Sequence, residues 1–138
     1  MMKVFRVNLP HTFTTFKDTG YFSCPAEGHP GYTITNSLKK NDLVIVATSN
    51  KTVSAIARVE SVSKINWMYS PEGVEFSDEK HFVVKAIPLT YCKVPHSVFD
   101  GVFDSKAFNC PWWLYHIADY DLKKLKVAIN TILSKFLV

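Results

Sequence analysis

The sequence lacks the features of several common protein classes. Its three cysteines, Cys24, Cys92 and Cys110, are odd in number and widely spread, which excludes the paired framework of a disulfide-stabilised domain. No apolar run approaches the roughly 20 residues that a membrane span needs. The first residues also lack the apolar core and cleavage pattern of a signal peptide. These absences predict a cytoplasmic protein without a membrane partner.

Motifs for nucleotide cofactors and for nucleophilic catalysis are missing as well. The five glycines form neither a G-x-G-x-x-G nor a Walker pattern, and no serine lies in a Gly-x-Ser-x-Gly elbow. A Cys–His pair could assemble in space, but nothing local marks one. The acidic residues between Glu72 and Glu79 fall in a polar segment, which indicates solvated charges rather than paired catalytic carboxylates. We therefore expect no cofactor and no enzymatic activity in the domain itself.

What the chain does contain is enough apolar material for one folded domain. Its 138 residues are 47% hydrophobic and 14% aromatic, so residues 1–138 are predicted to close a single core. The net charge is +4, and the segment from Ser37 to Lys64 is the more basic part. Its basic residues are Lys39, Lys40, Lys51, Arg58 and Lys64, against Asp42 and Glu60. A modest basic face suits a polyanion such as nucleic acid, although a solvated surface explains the charge equally well.

Alternating and continuous apolar runs predict several strands. The predicted strands are Lys3–Asn8, which Pro10 ends, Leu43–Ala47, Val53–Val62, and Phe82–Ile87 with an extension to Tyr91. The run Leu43–Ala47 is typical of a strand that is buried on both faces or lines a barrel. Thr48–Lys51 supplies a hairpin turn. We expect loops at Gly20–Gly31, Ile65–Lys80 and Phe99–Phe108, and a short helix or irregular turn at Thr12–Phe16.

The clearest helix is predicted over Asp119–Phe136. Its apolar face comprises Leu122, Leu125, Ile129, Ile132, Leu133 and Phe136. Asp119 or Asp121 can serve as the N-cap. Because no glycine or proline stop signal follows, we hypothesise that the domain is excised from a longer chain. Several strands, short helices and one terminal helix indicate an α+β domain with a small curved sheet or barrel.

Two short segments each bring a cysteine and a histidine close together. Cys24 lies near His29, and Cys92 lies near His96, so that together they have the composition of a tetrahedral zinc site. The spacings differ from the usual zinc-binding pairs, and buried cysteines beside surface histidines would give the same pattern. A zinc-stabilised Cys/His protein-interaction module is therefore the alternative from another functional class.

Trp67 stands out among the aromatic residues because its neighbours, including Asn66 and Lys64, are polar. It does not belong to an apolar stripe, whereas Trp112 and Trp113 have the hydrophobic context of core residues. A base turned out of a nucleic acid needs flat walls for stacking and polar groups for its hydrogen-bonding edge. Composition alone leaves Trp67 open to both roles, a wall of such a site or a plug in the core.

The order of these segments resembles the YTH domain, a reader of modified bases in the PUA-like superfamily, which also includes EVE domains. The matching segments are Phe5–Asn8, Gly31–Thr33, Leu38, Val44–Ala47, Ser49–Lys51, Ala55–Arg58, Ile65–Met68, Pro71–Gly73 and His81–Leu89. The resemblance implies a PUA-like α+β fold, a small twisted β-barrel with flanking helices and an amphipathic C-terminal helix.

The resemblance also implies a set of site residues. The aromatic base cage would comprise Trp67, Tyr32 at a position where the family commonly has tryptophan, and Phe76 or Tyr69 as a third wall. The polar residues that follow the first strand in the family are replaced here by Leu9-Pro10-His11. This leaves Asn8, His11 and Thr33 as candidates for the base edge. Phosphate contacts would come from Arg58, Lys85, Lys51 and Lys64.

The function that the resemblance implies is recognition of a flipped modified base, with N6-methyladenine as the first expectation. Domains of this type occur at the N-terminus of McrB-type restriction proteins, where they select methylated DNA for a fused AAA+ motor and its nuclease partner. We therefore expect methylated DNA as the partner. A YTH-like reader of methylated RNA is the alternative within the same class, and the zinc module is the alternative outside it.

Overall fold

The most apolar segments form the central strands of one sheet. The computed structural model describes residues 2–25, 37–49, 52–65, 81–104, 106–109 and 114–135. Strand β1 (Val4–Asn8) pairs in parallel with β3 (Leu43–Ser49), and β3 pairs antiparallel with β4 (Thr52–Ile65). All five residues of the predicted run Leu43–Ala47 are buried, as expected for a strand covered on both faces.

Three further strands complete the sheet. They are β2 (Tyr21–Pro25), β5 (His81–Pro95) and β6 (Leu114–Ile117), and the strand order is β2-β5-β4-β3-β1-β6. The pairing register shifts at two points between β3 and β4 and at three points between β4 and β5. Such bulges bend and twist strands, and the result is a curled, half-barrel sheet. The prediction of an α+β, barrel-like architecture is therefore confirmed.

Each face of the sheet carries its own apolar cluster. Because side chains alternate along a strand, Val44 and Val46 of β3 join one cluster and Leu43 and Ile45 join the other. Helix α1 (Phe13–Thr19) covers the first face through Phe16, which is fully buried. The second face is covered by a 3-10 helix (His96–Phe99), α2 (Lys106–Asn109) and α3 (Leu122–Lys135).

Asp42 holds the amino ends of β1 and β3 together. The residue is 3% exposed, and its two carboxylate oxygens accept hydrogen bonds from the backbone N–H groups of Lys3 (3.0 Å) and Lys39 (2.9 Å). The Lys3 ammonium lies 3.9 Å from the same carboxylate and also donates to the carbonyl of Ser37. The backbone N–H of Leu43 then donates to the carbonyl of Lys3 and starts the parallel ladder.

Arg6 is a charged residue in the middle of β1, and it is 2% exposed. Its Nε donates to the carbonyl of Ala107 in α2 at 2.6 Å. A four-residue helix has few internal hydrogen bonds, so a bond from the sheet helps to hold it in place.

The sequence predictions for the secondary structure were wrong at several points. Tyr21–Pro25 is a strand rather than the beginning of a loop, and the short strand β6 was not predicted. The segment Phe99–Phe108 contains the start of α2. Helix α3 begins at Leu122, and its buried residues are Leu125, Ala128 and Ile132. Leu122 (48%) and Leu133 (41%), predicted for the apolar face, are exposed.

Within the described part of the chain, no helix has the length and apolar character needed to cross a membrane.

The stabilising role of Asp42 can be tested with Asp42→Ala. This change leaves two backbone N–H groups without their charged acceptor, and each such hydrogen bond is worth about 1.5 kcal/mol. We expect the free energy of unfolding to fall by about 3 kcal/mol in urea denaturation. Asp119→Ala is the matched control and should be close to wild type, because Asp119 is exposed and the cap of α3 is Asp121, whose Oδ1 accepts from the backbone N–H of Lys124. Equal stability of the two variants would contradict this role for Asp42.

Candidate nucleic-acid interface

A small cavity lies where the carboxyl ends of β1 and β3 meet. The backbone N–H of Leu9 donates to the carbonyl of Ala47 at 2.8 Å, and this is the last contact of the parallel pair. Pro10 has no N–H to continue the ladder, so the chain turns away into α1. Asn8, Pro10, His11 and Thr12 line a cavity of about 130 Å³ at this turn.

Asn8 contributes an unusual polar atom to this end of the sheet. Its side-chain oxygen Oδ1 is buried and has no hydrogen-bond partner, the only such side-chain atom among the described residues. An unsatisfied buried acceptor costs about 1–3 kcal/mol, and folded proteins contain few of them. A ligand with an N–H group would satisfy it, which makes Asn8 a candidate binding residue on physical grounds.

The structure brings two of the predicted base-edge residues together. Asn8 and His11 line the same cavity, with His11 exposed at the surface, and Thr12 joins them. Thr12 was missed as a site residue because the sequence placed it in a helix or turn. The available signal was the pair of polar residues His11 and Thr12. They follow Pro10, between the first strand and the first helix.

Two predicted phosphate-binding residues lie away from this cavity and have protein partners. Arg58 pairs across the sheet with Leu43, at the start of β3, while Asn8 pairs with Ala47 near its end. The Arg58 guanidinium donates to Oδ1 of Asn41 at 2.8 Å. Lys85 lies 3.5 Å from the carboxylate of Glu60. Both side chains are partly exposed, so these contacts leave them reachable by a ligand.

The predicted cage residues Trp67, Tyr32, Phe76 and Tyr69 lie outside the described residues, as do Thr33 and Lys51. Lys64 belongs to β4, but its side chain is not described. The strand residues that flank these segments are adjacent: Pro25 pairs with His81, and His81 pairs with Ile65. The described strand residues that precede these segments, Pro25 of β2 and Ile65 of β4, thus both pair with His81 of β5.

Cys92 is buried, and its thiol faces the protein interior. It is 4% exposed, and its Sγ donates to the carbonyl of Val53 at 3.6 Å. Burial raises the pKa of the Cys92 thiol to about 11. A protonated thiol is a poor nucleophile and a poor metal ligand at neutral pH. This environment weakens the case for Cys92 both in a Cys–His catalytic pair and in a zinc site.

His96, the predicted zinc partner of Cys92, lies in a different environment. Its ring packs 5.0 Å from that of Phe108, and it lines a cavity that Cys92 does not line. The described residues contain no group of three or more His, Cys, Asp or Glu side chains arranged to hold a metal. His29 and the side chain of Cys24 fall outside the described structure.

Comparison with solved structures identifies the fold. The chain is similar to the crystal structure of ASCH from Zymomonas mobilis, with a TM-score of 0.50 and 14% sequence identity over 97% of this chain and 96% of that one. A point mutant of the same protein gives a TM-score of 0.50 at 13% identity, over 97% and 99% of the two chains. At this identity the likeness concerns the fold alone, which is PUA-like, as the sequence resemblance implied.

No protein-family model matches the chain, and no curated protein matches it.

The protonated state of Cys92 can be tested by its reactivity. In a Cys24→Ser/Cys110→Ser variant, Cys92 is the only thiol, and its pKa is raised from 9.0 to about 11. At pH 8 the thiolate fraction then falls about 100-fold relative to the unfolded chain, and burial slows access further. We expect Ellman's reagent to react at least about 100-fold more slowly with the folded variant than with the same variant in denaturant. Equal rates would contradict the buried, protonated thiol.

Proposed function

We propose that this chain is a nucleic-acid-binding domain that accepts a single base, turned out of its strand, in the cavity beside Asn8. The observation that carries the proposal is the buried Oδ1 of Asn8, which lacks a hydrogen-bond partner and belongs to a residue that lines a cavity. Binding sites often contain buried polar groups that have no partner in the unbound protein. Such groups lower the stability of the unbound protein, and the ligand satisfies them when it binds. The PUA-like fold and the excess of basic residues support nucleic acid as the source of that ligand.

The size of the cavity favours one flat ring. Its volume of about 130 Å³ lies below the roughly 300–1,000 Å³ of pockets that enclose drug-sized ligands. A base can enter while its sugar and phosphate stay outside. Extrusion costs a few kcal/mol of stacking and pairing, and this cost is smallest for a single-stranded or mismatched base.

The carboxamide of Asn8 is suited to adenine. It offers one acceptor, Oδ1, and two hydrogens on Nδ2, while an adenine edge presents the N6 donor beside a ring-nitrogen acceptor. N6-methyladenine keeps one hydrogen on N6, so the same bidentate contact stays available after methylation. N6-methyladenine is therefore our first choice of base, with Asn8 and His11 at its polar edge.

Aromatic side chains would discriminate the methylated base from the unmethylated one. Two of the walls would be Trp67 and Tyr32, and the third would be Phe76 or Tyr69. Burial of one methyl group is worth about 1 kcal/mol, which corresponds to about a fivefold preference. In its most specific form, the proposal is that the domain selects methylated DNA for a McrB-type restriction system with a fused AAA+ motor and a nuclease partner. Methylated RNA is the second choice of partner.

The proposed domain binds but does not catalyse. The described residues that line the Asn8 cavity include no carboxylate and no cysteine, so they offer no acid–base pair and no thiol nucleophile. The zinc-stabilised module remains the competing function, and metal analysis of the purified protein separates the two. One bound equivalent of zinc would favour the competitor.

The role of Asn8 is tested by Asn8→Ala in fluorescence anisotropy titrations of oligonucleotides. Loss of a bidentate base contact worth about 1–3 kcal/mol should weaken binding about 5- to 150-fold for strands that carry the preferred base. Removal of the unsatisfied oxygen should leave stability unchanged or raise it by about 1 kcal/mol. Asn130→Ala, on the exposed surface of α3, is the matched control. Wild-type affinity of Asn8→Ala would refute the base site.

The role of Trp67 is tested with paired strands, methylated and unmethylated, of both DNA and RNA. Loss of the stacking contact with one base costs about 1–3 kcal/mol. Trp67→Ala should therefore lower the affinity of the protein for methylated strands and abolish its preference for them over unmethylated strands. Tyr69→Ala and Phe76→Ala identify the third wall by the same measurement. If Trp67→Ala binds methylated strands as tightly as wild type, the cage hypothesis is wrong.

A further inference from the structure

A second cavity is lined by residues of α1, β3, β4 and the C-terminal part of β5. Its volume is about 220 Å³, and it is lined by six polar residues together with Phe13 and Cys92. The six polar residues are Lys17, Thr48, Thr52, Ser54, Tyr91 and Lys93. None of these lining residues is acidic, so the cavity combines cationic and hydroxyl donors around an open space.

The hydroxyl groups of this cavity retain capacity to donate hydrogen bonds. Ser54 is 7% exposed, and its Oγ lies 2.9 Å from Oγ1 of Thr48. In such a pair one hydroxyl donates to the other, and the accepting hydroxyl keeps its own hydrogen for another partner. Within the described structure, neither side chain has a further hydrogen bond that would use that hydrogen.

The two lysines are free of carboxylate partners within the described structure. Lys85 and Lys3 each lie within 4 Å of a carboxylate, whereas Lys17 and Lys93 do not. The Nζ of Lys17 lies 5.4 Å from the centroid of the Tyr91 ring, which holds that ammonium at the cavity. Both lysines are exposed, so their charges are available to a ligand.

Tyr91 adds a neutral phenol, and Asp18 is the acidic group that faces it. Burial, and to a lesser extent the negative charge of Asp18, raise the pKa of Tyr91, so its hydroxyl stays protonated at neutral pH. The hydroxyl lies 3.4 Å from the carbonyl of Lys17, at the long limit of a hydrogen bond. It can therefore turn to an anionic oxygen at little cost.

The two cavities are lined by neighbouring stretches of the chain. Thr12 of the first is followed in the chain by Phe13 of the second, whose ring lies 6.4 Å from that of Tyr91. On the sheet, Thr48 of the second cavity follows Ala47, the partner of Asn8. The proposed base site and the donor-rich, cationic site are thus lined by residues that are neighbours in the chain or in the sheet.

We propose that the cavity between Lys17 and Lys93 binds the backbone phosphate that adjoins the base held at Asn8. This inference rests on the proposed function and extends it by locating the phosphate contact. The lysines would supply charge, and the hydroxyls of Thr48, Ser54 and Tyr91 would supply hydrogen bonds to the phosphate oxygens. Contacts of this kind position a nucleic acid without reading its sequence.

The test compares Lys17→Gln/Lys93→Gln with Lys123→Gln/Lys126→Gln. Both double variants remove two positive charges at exposed positions, but the second pair lies on α3, which covers the opposite face of the sheet. Oligonucleotide affinity is measured by anisotropy between about 50 and 200 mM salt. The first variant should lose about tenfold in affinity for every sequence, and its salt slope should fall by roughly one per lysine. The control should keep the wild-type slope, and equal slopes in wild type and both variants would overturn the proposal.

A second measurement uses small probes and identifies the source of the anion. Adenosine monophosphate, adenosine and inorganic phosphate are titrated while the backbone amide resonances are followed by NMR. The monophosphate should shift the amides of Thr48 and Ser54, and adenosine should not. If inorganic phosphate shifts the amides of α3 as strongly as those of Thr48 and Ser54, binding is nonspecific and the proposal is wrong.

The two sites fail independently in these experiments. If Asn8→Ala loses affinity while Lys17→Gln/Lys93→Gln keeps the wild-type salt slope, the phosphate site is refuted and the base site stands. If the lysine variant loses salt dependence while Asn8→Ala binds like wild type, the base site is refuted and the phosphate site stands.

Discussion

The parallel pairing of β1 with β3 is the constraint on which the rest of the structure depends. Two parallel strands need a long crossover, and here it contains α1, β2 and the segment that leads to Asp42. Asp42 fixes the amino ends of the pair by accepting from the backbone of Lys3 and Lys39. Because the strands run in the same direction, their carboxyl ends open at one edge. Asn8 and Thr48, and with them both cavities, lie at that edge.

The two ends of this pair show opposite uses of a buried polar group. Asp42 is almost fully buried and has its hydrogen bonds satisfied by the protein, so it adds stability. Asn8 is buried at its oxygen and has no partner for it, so it subtracts stability. A fold that rests on a short parallel pair can tolerate this loss at one end because the other end is secured. Of the two ends, the one with the unsatisfied acceptor is therefore the candidate for a ligand site.

The strong apolar patterns of the sequence predicted the central strands, whereas elements with weaker patterns, such as β2, were not predicted. Leu43–Ala47 could be identified as a doubly buried strand because its five apolar residues need cover on both faces. Strand β2 was missed because Pro25 and the glycines beyond it indicated a loop, although an edge strand tolerates a terminal proline. Asn8 and His11 became candidates through the family resemblance, as possible replacements for its base-edge residues, and both line one cavity. Lys17 and Lys93 could not be predicted from the sequence, because only the docking of α1 against β5 brings together residues so distant in the chain.

The uneven pairing of β5 bears on intermolecular association through the edge of this strand. Among the described residues, β2 and Gly20 pair with β5 from His81 to Ala86, and the remainder of β5 pairs with β4 alone. An unpaired strand edge is a template for strand addition and aggregation. Along this stretch Pro88 and Pro95 have no N–H to donate, and Lys93 carries an exposed charge. These residues make strand addition along this part of β5 unfavourable.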